Sequence, residues 1–195
     1  MSINKSIYGQ LSGSPENDVS RPERILTRLP QIELSDEQIE IMAEAAHKAF
    51  CRGLTSRGFR YGPEINAARK THPALVEYQN LPDDLKDASR ANVGDIPRKL
   101  HQLGYRIETG DDQSGLFIFS DTDVNRLAQL EHQRWMEHRL ETGWTLGPKT
   151  NPSRKTHASL VAWDDLSEGE RDKDREMIRS IPEILAAAGF VIVAD

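Results

Sequence analysis

The chain has 195 residues, and its 31 acidic and 25 basic residues give a formal net charge of −6. This balance argues against a general nucleic-acid or membrane-surface binder, because both need a basic field, but it is compatible with a local basic pocket. The single cysteine, Cys51, excludes an internal disulfide and a metal site built from several cysteines. No apolar run is long enough to span a bilayer and no apolar leader opens the sequence, so we expect a cytoplasmic protein.

The N-terminal residues 1–30 are polar and contain many Ser, Asn, Gly and Pro residues. This composition offers little apolar surface to bury, and it predicts an extended or disordered arm.

From residue 31 onward the chain repeats itself with a shift of 85 positions. Residues 31–107 align without a gap on residues 116–192, and 22 of the 77 aligned positions are identical. A duplication is the simplest explanation, and two copies are too few for a solenoid. We therefore predict one repeat at 31–110 and another at 116–195, packed on each other about a pseudo-twofold axis.

Each repeat predicts the same elements in the same order. An apolar run, QIEL at 31–34 or LFIF at 116–119, is typical of a short strand, and Ser35 or Ser120 follows as a helix N-cap. A glycine ends the first helix, a loop of about 20 residues leads to a second helix, a proline opens a separate short helix, and a strand closes the repeat. The residues marking these points are Gly58, Pro82, Pro97 and YRIE at 105–108, and then Gly143, Ser167, Pro182 and FVIV at 190–193.

The predicted fold is therefore α+β, mainly α, with two pseudo-twofold-related strand-helix-loop-helix-strand repeats and a small, partly antiparallel sheet. The turn-rich connector TGDDQSG joins the last strand of one repeat to the first strand of the next.

The long loop of each repeat contains the motif RKTH, at 69–72 and again at 154–157. Arginine offers a rigid fork for phosphate oxygens, lysine a mobile charge, threonine a hydroxyl and histidine a switchable donor. Two such loops would converge on one anionic ligand. The alternative is that each arginine pins its loop by pairing with an acidic residue of the second helix, such as Asp87 or Asp172.

The order of these motifs resembles a known family. A helix with His and an aromatic residue three positions on is followed by Gly-Phe/Trp, Gly-Pro, RKTH, an acidic helix, Ile-Pro and Gly-Tyr/Phe. Residues 127–190 in particular resemble the RyR domain, which occurs in pairs in ryanodine receptors and in many bacterial and phage proteins. Residues 41–107 resemble a second, more diverged copy. The resemblance implies a mostly helical tandem pair, and it carries no implication of calcium conduction.

The resemblance also implies a function. In the channels the paired domain accepts an adenine nucleotide between its halves, and bacterial RyR domains are regarded as sensors of nucleotide-derived signals. Carried over to this chain, Phe59 and Trp144 are the rings that would stack a base, with Tyr61 in the same cleft. Core packing is the alternative for these rings and the stronger reading for Tyr78 and Trp163. Phe59 stands where Trp is usual, so its face is smaller.

Two further pairs of residues recur at matching places. His47 and His132, on the apolar side of the first helices, are predicted to be hydrogen-bonded core histidines. Asn66 and Asn151 are predicted to stabilise the turns of the loops through side-chain hydrogen bonds.

No catalytic motif accompanies these residues. The six histidines form no HExxH, and no GxSxG, P-loop or GxGxxG occurs. We expect a protein that is not an enzyme and that has no cofactor or metal. A third option is that a His-Thr-Lys cluster acts on a phosphodiester.

The patterns together favour recognition of a small anionic ligand, an adenine nucleotide or an ADP-ribose-type molecule, between the repeats. The alternative is a protein-interaction module whose basic loops dock an acidic partner, and a homo-oligomer is also compatible with the helical faces. The predicted ligand-binding residues are Phe59, Tyr61, Arg69, Lys70, His72, Trp144, Arg154, Lys155 and His157.

Overall fold

The computed structural model describes residues 32–110 and 117–194, and the fold is α+β and mainly α, as predicted. The first repeat comprises α1 (Asp36–Ser56), β1 (Arg60–Tyr61), β2 (Thr71–His72), α2 (Asp83–Gly94), α3 (Ile96–Gln102) and β3 (Tyr105–Thr109). The second comprises α4 (Asp121–Glu141), β4 (Thr145–Leu146), β5 (Thr156–His157), α5 (Glu168–Ala187) and β6 (Phe190–Ala194). The predicted arm at 1–30 and most of the predicted connector lie outside the described residues.

The ends of the first helices follow the predicted chemistry. Ser35 and the Gln38 side chain form a reciprocal capping box at the start of α1, and Ser120 accepts a hydrogen bond from the backbone N–H of Asp123 at the start of α4. Gly58 and Gly143 follow the two helices with φ of 82° and 81°. This left-handed conformation is accessible to glycine at little cost, so these residues end both helices.

The opening strand predicted for each repeat is wrong, because residues 32–34 and 117–119 have no strand partner. The apolar run of the second repeat instead packs as an extended segment. Phe119 is buried with its ring edge-on to Tyr105, whereas Ile118 remains 88% exposed. The segment alternates between buried and exposed side chains as a strand does, but it forms no hydrogen bonds with a neighbouring strand within the described ranges, so the sequence pattern resembled that of a strand.

The separate short helix predicted at the proline occurs only in the first repeat. Pro97 lies in the first turn of α3, but Pro182 is buried inside the continuous helix α5. Gly94 ends α2 before the first proline, whereas Arg179 occupies the matching place in α5. Glycine is a poor helix former and arginine a good one, which accounts for the break in one repeat and not in the other.

The last strand of each repeat pairs with the last strand of the other. β3 and β6 form an antiparallel ladder in which Ile107 lies opposite Ile192. These two residues are also equivalent under the shift of 85 positions. The pseudo-twofold axis therefore passes through this pair, and the confirmed tandem arrangement has its symmetry centre in the shared sheet.

The helices pack around that axis with α5 against both α1 and α4, α2 against α1, and α3 against α4. α1 and α5 are antiparallel, since Arg52 pairs with Glu183 and Arg57 with Glu176. α4 and α5 are also antiparallel. Consequently both long loops lie at the end of the molecule where α5 begins, and the β3–β6 sheet lies at the opposite end.

The two contacts between repeats are chemically different. Where α3 meets α4, the buried Lys99 ammonium lies 2.5 Å from a carboxylate oxygen of Glu131, which also accepts from Arg134 and Asn92. Burial alone would raise the pKa of Glu131, but Lys99 and Arg134 hold it below its usual range.

We call Asn92, Lys99, Glu131 and Arg134 the buried ionic cluster. The matching contact between α1 and α5 has apolar residues at all four equivalent positions, Met177, Ile184, Ala46 and Ala49. The two inter-repeat contacts therefore do not share the pseudo-symmetry of the backbone.

Among residues 32–110 and 117–194, no helix has both the length and the hydrophobicity needed to cross a membrane.

Candidate functional site

Each long loop is closed by a short parallel strand pair that the sequence did not predict. β1 pairs with β2, and β4 pairs with β5. The glycine of each Gly-Pro pair is needed for this closure, because a Cβ at Gly62 or Gly147 would lie 2.7 Å from the Cβ of Thr71 or Thr156. In each repeat the glycine of the Gly-Pro pair and the motif threonine therefore lie where two backbone segments approach closely.

The motif lysines are held at the ends of the first helices. The Lys70 ammonium donates to the carbonyl of Arg57, and the Lys155 ammonium donates to the carbonyl of Thr142, each at 2.9 Å. Both lysines have positive φ, 51° and 49°, which is uncommon for a residue with a side chain. The strained backbone fixes two ammonium groups that the sequence suggested were mobile, and each retains further N–H donors.

The threonines and asparagines of the loops form the same internal bonds in both repeats. Thr71 and Thr156 donate to loop carbonyls seven residues before them. Asn66 and Asn151 each accept from the backbone N–H of the motif arginine three positions on. The predicted turn-stabilising role of the asparagines is confirmed.

The motif histidines are fixed as neutral donors. Nδ1 of His72 accepts from the backbone N–H of Ala74, and Nδ1 of His157 accepts from that of Ser159, each at 3.1 Å. Burial lowers the pKa of both rings, and the positive charge of Lys173 lowers both further. A neutral ring that accepts at Nδ1 carries its proton on Nε2, so both histidines present an N–H donor.

The motif arginines do not pair with the second helices, so the predicted alternative with Asp87 and Asp172 is wrong. Those carboxylates bind Arg90 and Arg175. The Arg69 guanidinium is exposed and lies 3.9 Å from Glu64 of its own loop. The Arg154 guanidinium is exposed and has no ion-pair partner among the described residues.

The predicted aromatic residues differ in their surroundings. The guanidinium of Arg139 lies 4.4 Å from the centroid of the Trp144 ring and covers one of its faces. Phe59 is half-buried and makes no ring contact within the described ranges. Tyr61 is 62% exposed, at the position that Leu146 occupies in the second repeat. Tyr78 is buried in the core, as predicted, and Trp163 packs against the core from outside.

Lys173 relates the two repeated motifs to one another. It lies on α5 and pairs with Glu170, yet its charge acts on His72 of the first repeat and on His157 of the second. The two loops are therefore close to one face of α5. The sequence did not predict a role for Lys173, because the first repeat has Ala88 at the matching place.

The histidines of the first helices are buried and hydrogen-bonded, as predicted, and their partners lie in the loops. Nε2 of His47 bonds the carbonyl of Val76 at 2.8 Å, and Nε2 of His132 bonds that of Val161 at 2.9 Å. His132 alone also faces a carboxylate, that of Asp174 at 3.5 Å. Burial would lower the pKa of His132, but these two hydrogen bonds together raise it.

The substitution His132→Gln is expected to destabilise the protein more at pH 6 than at pH 9. A histidine with a raised pKa contributes stability that is fully present below its unfolded value of about 6.5 and is lost as the pH rises through the folded value. Thermal unfolding of both proteins across this range measures the difference. A constant difference between the two melting temperatures would show that the protonated ring does not stabilise the fold.

The comparison with known families agrees with this geometry. The family model described as the RyR domain matches residues 27–109 and residues 120–194, two consecutive matches that together cover most of the chain. Each match contains one complete set of the structural features above: a capped first helix, a buried histidine, a loop closed by the RKTH motif, and a final strand shared with the other repeat. The chain belongs to the RyR domain family, as a tandem pair of its repeats.

Proposed function

We propose that this protein binds a small anionic ligand, an adenine nucleotide or an ADP-ribose-type molecule, between its two repeats without changing it chemically. The observation that carries the proposal is a concentration of positive charge in the first part of each long loop of an acidic molecule. Residues 57–72 contain four basic residues and one acidic residue, and residues 144–157 contain three basic residues and no acidic one, whereas the whole chain has a net charge of −6. Such a local field attracts anions.

The donors at this end suit phosphate groups. Arg69 and Arg154 present exposed guanidinium forks, and the Arg154 guanidinium has no ion-pair partner among the described residues. His72 and His157 offer fixed Nε2–H donors. Lys70 and Lys155 are positioned by their helix carbonyls and keep donors for a ligand.

The aromatic residues suit a planar base. In the proposed complex the base stacks on the Trp144 face that Arg139 leaves uncovered, or on Phe59 of the first repeat, with Tyr61 at the edge. Stacking on one such face contributes about 1–3 kcal/mol.

The state of the histidines supports binding rather than catalysis. A general base needs a lone pair that is free to accept a proton. In His72 and His157 the Nδ1 lone pair accepts a backbone N–H, and Nε2 already carries the proton. These rings are therefore better suited to donate to an anion than to activate a hydroxyl on a phosphodiester.

A thermal-shift screen over ATP, ADP, cyclic nucleotides, NAD and ADP-ribose tests the proposal. Binding to the native state raises the melting temperature by mass action. We expect at least one of these compounds to stabilise the protein, and the double variant Arg69→Gln/Arg154→Gln to lose most of that shift. Lys48→Gln, which removes an exposed lysine from the middle of α1, is the matched control and should keep the shift. A flat response across the panel would contradict the proposal, and turnover of any ligand would contradict its non-catalytic part.

Docking of an acidic protein segment is the second candidate function. Tyr61 and Leu146 occupy equivalent positions on the two loops and are 62% and 60% exposed, and Ile65 is 50% exposed. Apolar side chains interspersed with arginine are typical of protein interfaces. A flat nucleotide screen combined with binding of an acidic partner that Tyr61→Ser abolishes would favour this function.

A further inference from the structure

Arg139 is a half-buried cation for which the described part of the chain provides no ion pair. It lies in the last turn of α4, and its Nε–H is buried without a hydrogen-bond partner. The guanidinium lies 4.4 Å from the centroid of Trp144 and 5.9 Å from that of Trp135. A charge removed from water is destabilising unless an opposite charge approaches it, and two aromatic faces compensate only part of that penalty.

Arg139 also lies at the boundary between the repeats. Burial lowers the pKa of its guanidinium, and the carboxylate that counteracts this effect is Asp84 of α2, in the first repeat. Asp84 is exposed and is not within ion-pair distance. The guanidinium is also close enough to His157 to lower the pKa of that ring. Arg139 and the neutral ring of His157 are therefore close together at the boundary with the first repeat, with Arg139 as the charged group.

The first repeat has no counterpart of this arrangement. Leu54 stands in place of Arg139, and it is buried. Phe50 and Phe59 stand in place of Trp135 and Trp144, so all three tryptophans of the chain belong to the second repeat. The duplication therefore preserved the RKTH loop in both copies but left the cation between aromatic rings in only one.

We propose that Arg139 is a further anion-binding residue of the protein, acting together with the exposed motif arginines, and that the chain binds one anionic ligand, oriented with a phosphate toward the second repeat. This inference rests on the proposed function and deepens it, because it assigns the anionic group of the ligand to one place. The charge of a phosphate would supply the partner that Arg139 lacks, and a guanidinium can bind it through two parallel hydrogen bonds.

The test compares Arg139→Leu with the wild type, since leucine is the residue that the sister repeat tolerates at this place. Inorganic pyrophosphate and ADP serve as probes at constant ionic strength. Binding is followed by tryptophan fluorescence, which reports only on the second repeat, and by titration calorimetry. We expect one site per chain and an affinity for both probes that is lower by about tenfold or more in Arg139→Leu, in line with the strength of a charged hydrogen bond.

Stability without ligand separates a binding role from a packing role. If Arg139 serves binding, removing an unpaired charge should leave the melting temperature of Arg139→Leu equal to or above that of the wild type. If it only packs between the rings, the melting temperature should fall while the affinity stays constant, which would overturn the inference. Arg126→Leu, on the exposed face of the same helix, controls for the loss of one positive charge and should change neither quantity.

The outcomes also separate this inference from the proposed function. Binding of ADP that Arg139→Leu leaves unchanged, or two equivalent sites per chain, would overturn the inference and leave the proposed function standing. Binding of pyrophosphate that depends on Arg139, with no additional affinity for ADP, would support an anion site and contradict a nucleotide ligand. No binding of either probe would overturn both.

Discussion

Replacing Glu131 with alanine is expected to lower the free energy of unfolding by about 3–5 kcal/mol. Glu131 is 4% exposed, and its carboxylate is the common partner of Lys99, Arg134 and Asn92. Removing it leaves a fully buried ammonium whose remaining carboxylate partner, that of Asp95, lies 4.0 Å away and already pairs with Arg98. Urea unfolding followed by far-UV circular dichroism measures the change.

Two comparisons make this prediction specific. Arg52→Ala removes the exposed ion pair with Glu183 between the same two repeats and should cost no more than about 1 kcal/mol. The triple variant Lys99→Ile/Glu131→Ala/Arg134→Ala gives the three charged positions of this contact the residues of their apolar counterparts. It should be more stable than Glu131→Ala alone, because no buried charge remains unpaired. Equal losses in Glu131→Ala and Arg52→Ala would contradict the role of the buried ionic cluster.

The converse substitution, Ile184→Lys, should be at least as damaging, with a loss of about 3–5 kcal/mol. Ile184 is fully buried in α5 at the place that corresponds to Lys99, but Ala46 occupies the place of Glu131. A lysine at position 184 would therefore meet no carboxylate there. The same urea unfolding experiment applies.

Adding Ala46→Glu provides the internal control for this second prediction. If charge pairing decides the outcome, Ile184→Lys/Ala46→Glu should be more stable than the sum of the two single changes predicts, by about 0.5–3 kcal/mol of coupling. Strictly additive losses would mean that steric overpacking, and not the unpaired charge, dominates at this contact.

The part of the fold that sequence could predict is the part governed by local chemistry. Helix starts are marked by Ser35 and Ser120, whose side chains accept a free backbone N–H. Helix ends are marked by Gly58 and Gly143, which adopt a left-handed backbone because they have no side chain. The duplication predicted the pseudo-twofold arrangement because units with the same pattern of apolar residues bury equivalent faces. The strand predictions at 31–34 and 116–119 were wrong because an alternation of apolar residues does not by itself provide a hydrogen-bonded strand partner.

The candidate site was less accessible to prediction. The RKTH motif indicated phosphate chemistry by residue type, but the placement of each side chain depends on contacts with distant parts of the chain. The left-handed backbone at Lys70 and Lys155 directs both ammonium groups to helix carbonyls 13 residues earlier. Arg139 lies outside the motif and has no counterpart in the first repeat, so a search for repeated residues passes over it.

The sheet that the two halves share has consequences for the evolution of the tandem repeat and for its self-association. Within the part of the chain that the structure describes, the final strand of each half pairs with the final strand of the other half, across Ile107 and Ile192. A polypeptide that comprised one half would leave the edge of its final strand unpaired. A second identical subunit would be needed to pair with that edge. Gene fusion converts that encounter into an intramolecular one, independent of protein concentration. By the same geometry, two full-length chains can exchange halves, so concentrated protein is expected to yield a minor population of reciprocally swapped dimers.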